Sequence, residues 1–149
     1  MLSWTLSPGF TAGRPCVIST ICAAPACTSG TNPLSVCGGP AAIGDFLVIY
    51  ATGLGLTTPN GDPNGKPLPT GVAPPADGSV LYQTPTLPTV TIGGIATKVL
   101  YSGLAPGFPG LYQVDVQVPS GVVNGDDVPV VITMGPASDS ATIAIQPRP

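Results

Sequence analysis

The sequence predicts an all-β chain folded as a β-sandwich, and three observations predict it. Twenty Gly and twenty Pro argue against long helices, because in a helix interior Pro costs ~3 kcal/mol and Gly ~1 kcal/mol relative to Ala. Apolar residues make up 43% of the chain, too many for a disordered Pro/Gly polymer. Between the turn signals lie several short runs that alternate apolar with polar residues, the pattern of strands joined by turns. At 149 residues the chain holds one domain, or one domain with an appendage. A domain of ~150 residues buries about two thirds of its unfolded surface, enough for a proper core.

Taken in order, "LSWTLS" (2–7) sets Leu2, Trp4 and Leu6 against Ser3, Thr5 and Ser7, the alternation of a half-buried strand. The four cysteines follow in "CVISTICAAPACTSGTNPLSVC". A zinc site would want CxxC-like pairs or His partners, and a catalytic thiol would want a base; the chain has no His. Disulfides are the expected state, with the oxidising, extracytoplasmic setting they imply. "VISTI" reads as a strand, which would hold the sulfurs of Cys16 and Cys22 about 20 Å apart, beyond disulfide reach. "AAPA" reads as a turn bringing Cys22 against Cys27. The predicted pairs are therefore Cys22–Cys27 and, nested around it, Cys16–Cys37.

"GDFLVIYATGLG" (44–55) is apolar on both faces from Phe46 to Ala51, as a central strand would be; Phe46, Tyr50 and Tyr112 fall at core-like positions. The Pro-rich stretch from 52 to 88 reads as a long loop, with "SVLYQ" (79–83) as a short edge strand. "TVTIGGIATKVLYSG" (89–103) is a hairpin turning at Gly93-Gly94. In "LYQVDVQVP" (111–119), Tyr112, Val114, Val116 and Val118 alternate with Gln113, Asp115 and Gln117, and Pro119 closes the strand. "NGDD" (124–127) reads as a turn. Pro129 in "VPVVITMG" (128–135) suggests a sheet edge or a strand start. "SDSATIAIQ" (138–146) points Ala141, Ile143 and Ile145 inward.

The run "GDFLVIYATGLG … VTIGGIATKVLYSGLAPGFPGLYQVDVQVPSGVVNGDDVPVVITMG … SATIAIQ" resembles an Ig-like module found near the C-termini of large secreted bacterial proteins, related to the IPT/TIG class. The resemblance covers about residues 41–147. Its most specific pieces are "IYATGLG", "TIGG", "GLAPGFPGLYQV" and "VQVPSG". It implies an immunoglobulin-like β-sandwich exported from the cell, here the domain at 41–149; residues 1–40, with the four cysteines, fall outside the resemblance and are read from the cysteine spacing as a disulfide-bearing N-terminal extension. It supplies no catalytic residues, since such modules are typically spacers, adhesion units or anchors.

Charge bounds the function. Seven Asp, two Lys and two Arg are the whole charged set, 7% of the chain, with a net charge of −3. There is no basic stripe, so nucleic acid is a poor partner. No apolar run reaches the ~18 residues of a membrane span. "MLSWTLSPGF" has neither a basic n-region nor a continuous apolar h-region, so it does not read as a signal peptide. Acid–base catalysis would have to rest on Asp, Tyr or Lys. The candidates Asp62, Asp77, Asp126 and Asp127 sit in turn sequences, where Asp bonds nearby backbone amides. "NGDPNGK" (60–66) lacks the closing carboxylate of a calcium loop. No metal, cofactor or catalytic residue is expected.

A surface short of charges fits a chain held among neighbours or under a coat of glycans. The expected function is that of a non-catalytic extracellular or cell-surface structural protein. It would be the subunit of a homopolymeric filament, tube or sheath, joined by addition of an N-terminal strand to a neighbouring sandwich. Leu2, Trp4 and Leu6 are the expected anchors of that strand, and Gln113, Asp115 and Gln117 a second candidate contact. The alternative is a carbohydrate-binding or adhesion module, with Trp4, Phe10, Tyr82 and Phe108 as the candidate exposed aromatics.

Overall fold

A computed structural model describes residues 23–25, as backbone only, and 40–147. The expected strands at 2–7 and 17–21, the anchors Leu2, Trp4 and Leu6, and Cys16, Cys22, Cys27 and Cys37 lie outside the described residues. Within them there are ten strands and no helix. They are β1 (Ala23–Pro25), β2 (Phe46–Ala51), β3 (Thr58–Pro59), β4 (Tyr82–Gln83), β5 (Thr89–Ile92), β6 (Ile95–Thr97), β7 (Val99–Leu104), β8 (Tyr112–Gln117), β9 (Gly125–Met134) and β10 (Ala137–Ile145).

They form two antiparallel sheets, ordered β1-β2-β8-β7-β4-β3 and β10-β9-β5-β6. One apolar cluster joins them: Leu47, Ile49, Val114 and Val116 from the first meet Val90, Ile92, Val130, Ile132 and Ile145 from the second. The architecture is a β-sandwich, as expected. Alternation places these residues, because successive strand side chains point to opposite faces. Leu47 pairs with Val116 and Ile49 with Val114, so the inward rows of β2 and β8 lie side by side.

Several local expectations are corrected. Ala23–Pro25 is extended and pairs with Leu47–Ile49, so these residues of "AAPA" lie along the sheet and do not turn. In β2 only Leu47, Ile49 and Ala51 face the core; Phe46 is 47% exposed, and Tyr50 shares its outward face. A run apolar on both sides carries no parity of its own, and pairing with β8 decides which face is buried. Of "SVLYQ", only Tyr82 and Gln83 are strand. They sit inside the sheet, because Thr58–Pro59, from the stretch read as loop, forms the edge beyond them.

The hairpin at 89–97 turns at Gly93 and Gly94, whose φ values of 58° and 79° are left-handed, the geometry of a two-residue type I′ turn. Its second arm does not run on to 103. After Lys98 the chain leaves the four-stranded sheet and continues as β7 in the other, with an irregular register against β8 between Val99 and Tyr101. One stretch of backbone thus belongs to both layers.

"NGDD" is likewise not a simple turn. β9 begins at Gly125, opposite Ile145, while Val128 pairs with Ile143. Asp126 and Asp127 together face Ala144, a β-bulge. Pro129 lies within interior strand β9, not at an edge. Its carbonyl accepts from the Gly93 N–H at 2.8 Å, so its nitrogen faces the end of β5 at the hairpin and costs β10 no ladder bond. The two ends of the sandwich meet: Ala41 forms a parallel bridge with Ile145, with the Ala41 N–H donating to the Ala144 carbonyl (2.9 Å) and the Gln146 N–H to the Ala41 carbonyl (2.8 Å).

Candidate functional site

The polar row of β8 lies on the outer face of the six-stranded sheet, as its alternation predicts, and register identifies its neighbours. Asp115 is flanked by Val48 on β2 and Tyr101 on β7, Gln113 by Tyr50 and Gly103, and Gln117 by Phe46. Three aromatic side chains therefore border a central amide–carboxylate–amide row. Sequence reasoning missed Phe46, Tyr50 and Tyr101 as members of this face. The signal that finds them is cross-strand register, which cannot be read from one strand alone.

The row is organised internally. Gln113 Nε2 donates to both oxygens of Asp115, at 2.9 and 3.2 Å. Gln117 does not join this pair; its Nε2 donates to the Gly44 carbonyl at 2.9 Å. The Tyr101 hydroxyl donates to the Leu104 carbonyl at 3.0 Å, and its oxygen lies only 2.7 Å from the position a Cβ on Gly103 would take. Gly103 thus gives Tyr101 room, and the same absent Cβ lets the Tyr82 carbonyl approach.

Electrostatics follow from burial. Asp115 is only partly exposed, and desolvation pushes its carboxyl above the usual carboxylate range, with the Gln113 hydrogen bond pulling the other way. Burial also raises Tyr50 and Tyr101, and the nearby Asp115 charge raises them further. Both phenols keep their protons at neutral pH. The face therefore offers hydroxyl groups, one carboxylate, an amide and ring edges. Such a set can make hydrogen bonds and apolar contact with a sugar or another protein surface.

The turn aspartates behave as turn residues. Asp62 accepts from the Asn64 N–H at 2.9 Å and Asp77 from the Ser79 N–H at 3.0 Å; the Ser79 bonds hold the Asp77 carboxyl below its usual range. Among the described residues, no three His, Cys, Asp or Glu side chains gather as a metal site. No helix among them is long and apolar enough to cross a membrane. An open recess of about 360 Å³ beside Gln117 is lined by Ile43, Thr97, Lys98 and Pro119 among others.

The chain matches no family model, no curated protein and no solved structure.

Proposed function

We propose that this chain is a non-catalytic structural protein of the cell exterior. In this reading it is an immunoglobulin-like sandwich that serves as the subunit of a self-assembling filament, tube or sheath. Its N-terminal segment passes to a neighbouring copy as an added strand, anchored by Leu2, Trp4 and Leu6, and disulfides among Cys16, Cys22, Cys27 and Cys37 harden the extension.

The observation that carries this reading is β1. Three residues from the extension pair with the open side of β2, so the chain ahead of the sandwich already supplies an edge strand. Exchanging such a strand between copies needs no new chemistry, because the same backbone groups are satisfied in either arrangement. A head-to-tail exchange does not close on itself and propagates. The scarcity of charge supports the same reading, since a subunit packed among copies has less need of charged surface.

Negative-stain microscopy of native material, with size-exclusion of the recombinant chain, tests it. Polymers that disappear when residues 1–10 are deleted support strand addition, and a clean monomer under all conditions sinks it. The second reading is a carbohydrate-binding or adhesion module, favoured by the aromatic border around Gln113 and Asp115. Glycan-array binding lost in Tyr50→Ala and Tyr101→Ala, with assembly unaffected, would favour that reading instead.

A further inference from the structure

Four bonds of the chain follow a basic residue, and three of them lead into proline: Arg14–Pro15, Lys66–Pro67 and Arg148–Pro149. Pro is 20 of 149 residues, so composition alone would put it after about one basic residue in seven. The fourth bond is Lys98–Val99. Large apolar residues in the loops follow the same pattern. Leu68, Leu87 and Phe108 lie between strands and lead into Pro69, Pro88 and Pro109, and the last two side chains are about half exposed, at 52% and 50%. Leu56 is exposed and has no proline after it, but the residues that follow, Thr57 and Thr58, are buried. Among the described residues the other exposed Phe, Leu and Lys side chains, Phe46, Leu100 and Lys98, sit in strands or between β6 and β7.

These residue types are the ones serine endoproteases select: a basic side chain for the trypsin type, a large apolar one for the chymotrypsin type. In both, Ser attacks the carbonyl carbon, and His then gives a proton to the departing nitrogen as the peptide bond breaks. Proline carries its ring Cδ on that nitrogen and has no N–H, so the ring crowds the space the His must reach. Exposed loop tips are where nicking concentrates, and it is there that proline follows the selected residue.

The bonds without proline are protected in another way. A substrate lies extended in the protease cleft with its backbone groups bonded to the enzyme, so a segment already paired in a sheet must open first. Lys98–Val99 is such a bond. On one side the Thr97 hydroxyl donates to the Gln117 carbonyl. On the other, Val99 pairs with Val116 and packs against the core.

We propose that this sandwich is armoured against serine endoproteases of the trypsin and chymotrypsin types. Proline after the selected residue protects the loops, and sheet pairing or burial protects the bonds that remain. The inference concerns the chain by itself and holds whether or not it assembles.

Trypsin digestion of the full chain, read by mass spectrometry, tests it. The folded chain should stay whole. Unfolded and reduced, it should give two pieces only, residues 1–98 and 99–149. Pro67→Ala should admit cleavage after Lys66 in the folded chain, at least about tenfold faster than after Lys98, because a loop opens more readily than a paired strand. A variant that had lost its fold would be cut at both lysines alike, so this ratio separates an unguarded loop from an unfolded chain. Pro69→Ala is the independent second variant: chymotrypsin should cut it after Leu68 in the folded state, where the parent is not cut. Cleavage of the folded parent after Lys66 or Lys98 overturns the proposal. So do Pro67→Ala and Pro69→Ala chains that fold and remain whole at these bonds, since something other than proline would then protect the loop.

Discussion

Gln113 Nε2 bridges both carboxylate oxygens of Asp115, at 2.9 and 3.2 Å, on the outer face of the six-stranded sheet. This pair is the chemical centre of the face: both residues lie on β8, and the Gln113 hydrogen bond opposes the desolvation that raises the Asp115 carboxyl.

The pH response of Asp115 has a definite sign. Its folded pKa is raised, chiefly by desolvation, so between the unfolded and folded values the native state holds the extra proton. Stability from this group is full below the unfolded value, near 3.9, and falls as pH rises through the folded value. Asp115→Asn should remove that slope. At neutral pH it should be as stable as the parent or more so, by at most about 1 kcal/mol because water still screens the site. Urea denaturation of both proteins across pH 3–8 reads the difference, and parallel curves would contradict it.

Gly103→Ala should destabilise by about 1–3 kcal/mol through overpacking. The new Cβ would lie 2.3 Å from the Tyr82 carbonyl oxygen and 2.9 Å from Gln83 Cα, and backbone cannot yield as a side-chain tip can. The damage should centre on β4 and Tyr101, visible as faster amide exchange at Thr84, whose N–H donates to the Ser102 carbonyl at 2.9 Å. A variant as stable as the parent would show that β4 can move aside freely.

Thr84 and Ser102 form a buried hydroxyl pair 2.9 Å apart. Thr84→Val should cost about 1–3 kcal/mol by leaving the Ser102 hydroxyl without this partner. The double change Thr84→Val with Ser102→Ala should recover part of that loss. A double-mutant cycle in chemical denaturation measures the coupling, and additive costs would mean the pair contributes nothing.

Core truncation should separate sharply from surface truncation. Leu47→Ala and Ile145→Ala remove fully buried side chains and should each cost about 2–5 kcal/mol. Val123 is 81% exposed, and Val123→Ala should stay within about 0.5 kcal/mol of the parent. Thermal and urea midpoints measured together check both expectations.

How much of this was legible in the sequence depends on contrast between neighbouring residues. β8 could be read because Gln113, Asp115 and Gln117 interrupt an apolar row, and both its faces came out as the alternation indicates. β2 could not, because Phe46 to Ala51 offers no polar residue to mark the outer side. The crossing at Lys98 carries no turn signal, so one hairpin arm and a strand of the other sheet read as a single run. Asn124 to Asp127 carries turn chemistry in a segment where a bulge uses it. β3 and β4 have two residues each, too few for any periodicity. The outer-face site was half visible for the same reason: its polar row lies on one strand, while its aromatic border comes from two others and only pairing assembles it.

The bridge between Ala41 and Ile145 has a mechanical meaning. Because the pairing is parallel, tension that pulls residues 40 and 147 apart slides the two segments past each other and loads both Ala41 bonds at once. An antiparallel closure would instead peel them one after the other. In a subunit that carries load along a fibre, this closure would be the latch that sets the yield force. Single-molecule pulling through the two ends should therefore show a lower rupture force in Ala41→Pro, which removes the N–H donated to Ala144. An unchanged force would place the mechanical resistance elsewhere in the sandwich.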